Sequence, residues 1–160
     1  MSVSLREVCN VVDRLVKERD YWRERAERDR LTRLHNRRAL ERLTDGREGW
    51  FVSCDLDGFK QAQDAHPDGH LYGDKILREF AKFMLSSCRT KRGRADDRVA
   101  ARVGGDEFVI FCPTKHGARR ISKIARSWTS SCGTIGCAAG MGRTVQAADR
   151  AMYNCKRRSR

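Results

Sequence analysis

One stretch of the chain, RVGGDEFVIF at residues 102–111, restricts the fold more than any other. Two glycines separate the apolar runs 99–103 and 108–112, which is the pattern of two antiparallel strands joined by a tight turn. Asp106 and Glu107 follow the glycines directly, so two carboxylates stand at the start of an apolar strand. The sequence therefore predicts a β-hairpin whose tip carries acidic side chains.

A second acidic pair follows another apolar run. Residues 50–57 read WFVSCDLD, which predicts a buried central strand that breaks off at Asp55, with Asp57 just beyond it. Segments with apolar residues at helical spacing alternate with these strands. The predicted order is helix 3–30, helix 37–44, strand 50–55, helix 71–85, strands 99–103 and 108–112, helix 115–128, strand 132–139 and helix 143–156. Its core, β-α-β-β-α-β, predicts an α+β fold of ferredoxin-like, palm-type architecture, in which helices back one antiparallel sheet.

The two acidic clusters are expected to meet. In a ferredoxin-like sheet the first core strand lies between the others, so its end and the tip of the hairpin come together. Carboxylates that face one another raise each other's pKa unless a cation neutralises them. Hard oxygen ligands suit Mg²⁺, which keeps part of its coordination shell for water and phosphate, and Mn²⁺ is the alternative ion. Each cluster alone favours a turn whose acidic residues merely make it soluble, but the two together favour a metal site.

The chain is predicted to divide into an amphipathic helix, residues 1–28, and a single domain, residues 29–160. The helix lacks glycine and proline, and one stripe of it, at spacings of three and four, holds Leu5, Val8, Val12, Leu15, Arg19, Trp22 and Ala26. Such a stripe needs a cover, either the flank of the domain or a second copy of the helix in a short coiled coil. Arg19 weakens that seam.

Composition excludes several classes of protein. No apolar run approaches the roughly 18–20 residues needed to cross a bilayer, and residues 1–8 lack the apolar segment of a signal peptide. The seven cysteines are odd in number and form no CxxC pair, which favours buried free thiols in a reducing cytoplasm over disulfides or zinc. The net charge of +13 suits a polyanion-binding protein and a solvated basic surface about equally. Nucleic acid therefore stays open as a partner.

Several stretches match the motifs of one family in order. Residues 29–38, DRLTRLHNRR, resemble DxLTxLxNRR; residues 55–60, DLDGFK, resemble DxDxFK; and residues 69–74, GHLYGD, resemble GHxxGD. The signature GGDEF stands intact at 104–108, and residues 148–156, ADRAMYNCK, resemble the closing motif ADxAMYxAK. Residues 29–160 thus resemble the GGDEF domain, the catalytic module of diguanylate cyclases.

The resemblance implies a homodimer that brings two GTP molecules face to face. Each 3′-hydroxyl attacks the α-phosphate of the other GTP, which releases pyrophosphate and yields cyclic di-GMP. The implied metal ligands are Asp55, Asp106 and the backbone carbonyl of Leu56. The implied catalytic residues are Asp106 as acceptor of the hydroxyl proton, Glu107 beside it, and Lys60, which offsets charge on the leaving phosphates.

A larger set of residues is expected to bind the nucleotide. The resemblance places Phe59 and Lys60 in the turn around the triphosphate, and His70 and Asp74 beside the base. The two glycines of the hairpin would let a ligand approach the backbone closely. The full set is Phe59, Lys60, Gln63, His70, Asp74, Gly104, Gly105, Lys156 and Arg160.

The chain departs from the family's pattern at several positions. Gln63 stands where the family has its guanine-reading asparagine, and the loop at 64–68 is longer than usual, which leaves the base specificity open. The product-inhibition motif RxxD, matched at 94–97, lies one residue out of register, so feedback inhibition is the less favoured expectation. Arg33 replaces a common glycine.

Diguanylate cyclase is the favoured hypothesis, and two alternatives remain. One is a divergent member that makes another cyclic dinucleotide or only binds nucleotide. The other is a basic nucleic-acid-binding protein that reuses the fold, which the net charge and the tail KRRSR at 156–160 favour. The lack of interleaved aromatic residues opposes this second alternative.

Overall fold

The computed structural model describes residues 4–88, 97–133 and 135–158. Helices surround one sheet, as the α+β prediction requires. The elements are α1 (Leu5–Glu27), β1 (His35–Asn36), α2 (Arg37–Thr44), β2 (Trp50–Leu56), α3 (Phe59–Ala65), α4 (Gly69–Cys88), β3 (Val99–Arg102), β4 (Glu107–Cys112), α5 (Lys115–Arg126), β5 (Cys137–Gly142) and α6 (Val145–Arg158).

The sheet places β2 in its interior, in the strand order β1-β3-β4-β2-β5. Strand β2 pairs antiparallel with β4 on one side and β5 on the other, and β3 and β4 form the predicted hairpin. Strand β1 runs parallel to β3, so the sheet is mixed rather than purely antiparallel. The interior position of β2 confirms that its end lies beside the tip of the hairpin.

Helices cover both faces of the sheet. On one face Cys54 and Phe108 pack with α4 and α5, and the ring of Phe80 meets Phe108 and Trp128 edge-on at centroid distances of 4.8 and 4.9 Å. On the other face β3 and β4 pack against α2 through a smaller cluster around Leu40. Apolar residues of period two in the strands thus supply two cores, one on each side.

Helix α6 packs directly on β5. A Cβ at Gly142 would lie 2.5 Å from the backbone nitrogen of Ala148, and a Cβ at Gly140 would lie 2.5 Å from the carbonyl carbon of Ala151. Both distances are well below van der Waals contact, so only glycine lets the helix backbone approach the strand this closely. This contact fixes where α6, and every side chain on it, lies relative to the sheet.

The observed strand β5 differs from the prediction of 132–139. The chain before it forms a turn, in which the amide of Ser130 donates to the carbonyl of Ile135 at 2.8 Å and Gly133 has φ +73°. The strand therefore begins at Cys137, and it extends through two glycines whose sequence suggests a loop. Two short elements, β1 and α3, lie outside the predicted helices and strands.

The N-terminal helix is confirmed, and it begins with a capping box. The hydroxyl of Ser4 accepts from the amide of Glu7 at 3.3 Å, and the Glu7 carboxylate accepts from the Ser4 amide at 2.8 Å. The helix ends where Arg28 forms a β-bridge with His35. No residue of α1 is buried, so the predicted apolar stripe has no cover within the described part of the chain.

The cysteines and the helix lengths bear on two further expectations. None of the seven cysteines forms a disulfide, as predicted, but only Cys54, Cys112 and Cys137 are buried, whereas Cys9 and Cys132 are exposed. Among the described residues, no helix combines the length and the apolar character needed to span a bilayer.

Candidate active site

The end of β2 and the start of β4 bring the acidic residues together. Asp55 stands opposite Glu107 in the antiparallel register. One residue further along β2, the amide of Leu56 donates to the carbonyl of Asp106 at an N···O distance of 3.4 Å. Asp55, Leu56 and Asp106 therefore lie on adjacent segments of backbone, in the arrangement that the sequence predicted.

Arg102 holds the turn of the hairpin. Its guanidinium donates to the carbonyl of Gly105 at 3.0 and 2.7 Å, and to the Asp29 carboxylate at 3.3 Å. Asp29 also accepts from the amide and hydroxyl of Thr32 at 2.8 and 2.7 Å. Sequence reasoning assigned no role to either residue, although Asp29 opens one motif and Arg102 stands two residues before another. The pair joins the segment after α1 to the hairpin tip.

The two glycines of the turn have different surroundings. A Cβ at Gly104 would lie 3.1 Å from the Cδ atom of Glu107 and closer still to its carboxylate oxygen. The missing side chain of Gly104 thus makes room for Glu107, a residue of this chain. Nothing lies within 4 Å of a Cβ placed at Gly105, so Gly105 is the position where the backbone is open to a ligand.

Lys156 of α6 contacts the acidic cluster. Its ammonium forms an ion pair and hydrogen bond with Asp55 and lies 3.6 Å from a carboxylate oxygen of Asp57. Burial opposes the charged form, but the hydrogen bond to Asp55 and the attraction of Asp55, Asp57 and Asp106 outweigh it, so the pKa of Lys156 is raised. The sequence predicted a triphosphate-binding role for Lys156 and did not predict this contact.

The surroundings of Asp106 disfavour its charged form. Burial raises its pKa above the ordinary value, and repulsion by Asp55 raises it further, in excess of the attraction of Lys156 and Arg102. A carboxylate of this kind is a stronger base than an exposed one once it is ionised. It is also a group whose charged form another cation would stabilise.

The donor set fits a hard divalent ion. Asp55, Asp106 and the carbonyl of Leu56 offer oxygen atoms only, the ligands that Mg²⁺ prefers. Across residues 4–88, 97–133 and 135–158, no group of three or more His, Cys, Asp or Glu side chains is arranged to hold a metal. An ion at this position would therefore depend on a backbone carbonyl, water and ligand oxygens to complete its shell.

A second group of predicted residues lies where α3 packs against α4. The Nε2 atom of Gln63 lies 3.0 Å from Nδ1 of His70. The amide also lies against Gly73, where an added Cβ would be 2.8 Å from the same nitrogen. Asp74 is half-buried and pairs with Arg78 at 3.5 Å, one helical turn away. Three of the residues expected to border the base thus stand on two packed helices.

The turn between β2 and α3 depends on Gly58, which adopts φ +70° in the left-handed region. Phe59 follows and is buried against the core, whereas Lys60 is exposed at the first turn of α3. The longer loop that follows is closed by parallel stacking of His66 on Tyr72 at a centroid distance of 4.2 Å. Arg160 and Arg94 lie outside the described residues, so the expectations about their positions remain predictions.

The comparisons with known proteins agree with this geometry. The family model described as "Diguanylate cyclase, GGDEF domain" matches residues 26–160, and the chain belongs to this family. The chain is similar to diguanylate cyclase VdcA of Vibrio cholerae, with 35% identity over 108 residues that cover 64% of this chain and 28% of the relative. It is also similar to cyclic di-GMP phosphodiesterase PdeR of Escherichia coli, with 35% identity over 113 residues that cover 65% of this chain and 16% of that protein.

Among solved structures, the chain is similar to the coiled coil and GGDEF domain of DgcB from Caulobacter crescentus in complex with c-di-GMP. The TM-score is 0.73 at 27% identity, and the match covers 98% of this chain and 94% of that one. The matches to the two curated relatives span less than a third of those proteins. The family and the fold are therefore shown, whereas the activity of the whole protein is a matter for proposal.

Proposed function

We propose that the protein is a diguanylate cyclase, which condenses two GTP molecules into cyclic di-GMP and releases two molecules of pyrophosphate. The observation that carries the proposal is that Asp55 and Asp106 lie at adjacent strand ends. Leu56, which directly follows Asp55, offers its backbone carbonyl at the same place. Membership of the GGDEF family and the similarity to a named diguanylate cyclase support the same reaction.

Each of the two steps forms one bond and breaks one bond. The 3′-oxygen of one GTP bonds to the α-phosphorus of the other, the bond from that phosphorus to pyrophosphate breaks, and the hydroxyl proton passes to Asp106. When bound, Mg²⁺ supplies positive charge that offsets the phosphates and orients them for in-line attack. Lys60, exposed beside the turn, offsets charge on the leaving pyrophosphate.

The reaction requires two copies of the chain, and we propose that α1 joins them. Leu5, Leu15 and Trp22 of its apolar stripe are 86%, 55% and 64% exposed. A second α1 in a parallel coiled coil would cover this stripe and place the two domains side by side. The similarity of the chain to the coiled coil and GGDEF domain of DgcB supports the assignment. Residues 1–28 and 29–160 then act as dimerisation helix and catalytic domain.

Guanine recognition is assigned to Gln63, His70 and Asp74. The amide of Gln63 lies against α4 in contact with His70, and Asp74 can accept from the N1–H and amino group of guanine. A hydrogen-bonding site of this kind rejects a mismatched base strongly when its groups are well placed. We therefore expect GTP, rather than ATP or a mixture, to be the substrate.

The proposal is tested by incubating the purified chain with Mg²⁺ and each nucleoside triphosphate, singly and in mixtures. The product is identified by mass spectrometry, and pyrophosphate release is measured in parallel. We expect cyclic di-GMP from GTP alone. Asp106→Asn should retain the circular dichroism spectrum and lose turnover, whereas Asp45→Asn, the same change at an exposed residue outside the site, should retain both. Absence of turnover with every nucleotide would show that the chain is not a cyclase.

Nucleotide binding without turnover is the second candidate. It is favoured by the contact of Lys156 with Asp55, because the ammonium already neutralises one of the two carboxylates. This candidate requires GTP to bind in calorimetry with no release of pyrophosphate, which the incubation above also measures.

The basic helix α5, with five Lys and Arg residues and no acidic residue, favours the nucleic-acid alternative. A salt-dependent gel shift that Asp55→Ala leaves unchanged would support that alternative.

A further inference from the structure

A cavity of about 650 Å³ lies on the face of the sheet that α2 and α6 cover. Apolar side chains make up much of its lining, among them Leu40 of α2, Val109 of β4, and Val145 and Met152 of α6. The volume is typical of sites that hold a small organic molecule, about 300–1,000 Å³. Of the residues assigned to the candidate active site, Glu107 alone lines this cavity.

A buried hydroxyl orients one carboxylate in the wall of the cavity. Ser53 lies within β2, opposite Val109, and is 3% exposed. Its hydroxyl donates to one oxygen of the Asp149 carboxylate on α6, and both residues line the cavity. Among the described residues, no donor lies within hydrogen-bond distance of the other oxygen. The cavity thus presents an oriented carboxylate with an available oxygen beside apolar surface.

The charge of the lining is opposite in sign to that of the chain. Three lining residues are acidic, Glu41, Glu107 and Asp149, and two are basic, Arg37 and Arg150, whereas the chain as a whole carries +13. In the part of the chain that the structure describes, none of these three carboxylates forms an ion pair within 4.0 Å. The chain has 34 Lys and Arg residues, yet none of the described ones neutralises this group, so the lining favours a positively charged ligand.

Neither a metal ion nor an anion suits this lining. No described group of three or more His, Cys, Asp or Glu side chains is arranged to hold a metal, so the three carboxylates do not converge on one ion. The guanidinium of Arg37 donates twice to the carbonyl of Val103, at 3.2 and 3.0 Å, so these donors are already occupied. An anion would therefore depend mainly on Arg150, which is exposed, against three carboxylates. A molecule with a cationic end and an apolar body matches both parts of the lining.

We propose that this cavity binds a primary amine with an apolar, ring-bearing body, and that the ammonium pairs with Asp149. The ammonium would donate a charge-assisted hydrogen bond to the carboxylate that Ser53 orients. The body would pass from water onto the apolar surface of Leu40 and Val109, which favours binding in proportion to the area covered. Tyr153, which lines the cavity and is 60% exposed, offers an aromatic face to the ring of the ligand. The proposal does not rest on cyclase activity.

The test is a calorimetric titration of the full chain with tryptamine, indole-3-propionate and indole, in EDTA and without nucleotide. The three probes share one ring and carry a positive charge, a negative charge and no charge. We expect tryptamine to bind about tenfold or more tightly than the other two, since it alone can form the ion pair. Asp149→Asn, whose amide oxygen can still accept from Ser53, should weaken tryptamine binding about tenfold and leave the circular dichroism spectrum unchanged. Asp45→Asn removes the same charge outside the cavity and should bind tryptamine as the wild type does.

Gln146 gives a second readout that leaves the hydrogen bond of Ser53 intact. It is exposed and lines the cavity, so substitutions there should be compatible with folding. At low ionic strength Gln146→Glu should strengthen tryptamine binding and Gln146→Lys should weaken it, because the added charge attracts or repels the ammonium. The same two changes at Asn10, exposed on α1, should have no effect. Tighter binding of indole-3-propionate than of tryptamine would assign the cavity to an anion and overturn the proposal. Equal tryptamine affinity in the wild type and Asp149→Asn, or no binding to the wild type, would overturn it as well.

Discussion

Gly140→Ala is the substitution whose effect follows most directly from the fold. The added Cβ would lie 2.5 Å from the carbonyl carbon of Ala151 and 2.6 Å from the Cα of Met152, whereas ordinary van der Waals contact begins at 3.4 Å. Relieving the contact with Ala151 alone requires α6 to move away from β5 by about 0.9 Å, and the backbone nitrogen of Met152, which lies closer still, requires more. Backbone cannot rotate aside as a side chain can. Overpacking of this kind costs about 2–3 kcal/mol, which lowers the melting temperature of a chain of this size by about 4–12 °C.

The same displacement should affect the site. Lys156 lies one helical turn beyond Met152, so a shift of α6 draws its ammonium away from Asp55.

The assay is thermal and urea unfolding of Gly140→Ala beside Gly136→Ala, where the added Cβ meets only a carboxylate oxygen of Asp57 at 3.8 Å. The control should unfold within about 1 kcal/mol of the wild type, as most substitutions without steric conflict do. A melting temperature of Gly140→Ala equal to that of the control would refute the argument that glycine is required under α6.

Three further substitutions probe other parts of the structure. The pKa of His35 is lowered in the folded state, so the unfolded chain binds more protons than the folded chain below pH 6.5. The free energy of unfolding should therefore fall on acidification below that pH, and it should fall less in His35→Gln. The exposed control His116→Gln should follow the wild type. Gly73→Ala should raise the KM for GTP, because the added methyl displaces the flexible end of Gln63. It should also lower stability, because the same methyl would lie 3.1 Å from the buried ring of Phe59. An unchanged KM would contradict the first expectation. Asn36→Ala should lower the free energy of unfolding by about 1–2 kcal/mol in urea titrations, since it removes the cap of α2; no change would contradict the cap.

The parts of the fold that the sequence predicted are those with strong local patterns. The hairpin was predicted because the glycines at 104 and 105 interrupt two apolar runs, and the register of β3 and β4 agrees with that interpretation. The helix predicted at 37–44 is observed as α2, and Asn36, a residue type favoured before a helix, caps it by accepting from the amide of Ala39 at 3.0 Å. In such segments a local preference and the global packing favour the same conformation.

The parts that were missed depend on tertiary contacts. Strand β5 extends to Gly142 because α6 lies on it, and no local pattern reveals that two glycines mark a helix contact rather than a loop. Strand β1 has two residues and exists only through its pairing with β3. The stacking of His66 on Tyr72 joins residues on either side of the turn between α3 and α4, where the period of neither helix continues. Periodicity carries no information about such partners.

The contact of Lys156 with the acidic cluster connects the predicted site to the observed one. The sequence assigned Lys156 to the triphosphate, whereas the chain by itself pairs it with Asp55 and Asp57. Lys156 can take either position for the same physical reason: negatively charged groups at the strand ends are stabilised by a nearby positive charge. Lys156 on α6 provides that charge in the absence of another cation. Its side chain is long and flexible, so the ammonium can reach a phosphate once another cation neutralises the carboxylates. The close packing of α6 on β5 therefore matters for the site, because it fixes the position of the helix that carries Lys156. Among the described residues, Lys156 has the one ammonium within 4.0 Å of Asp55.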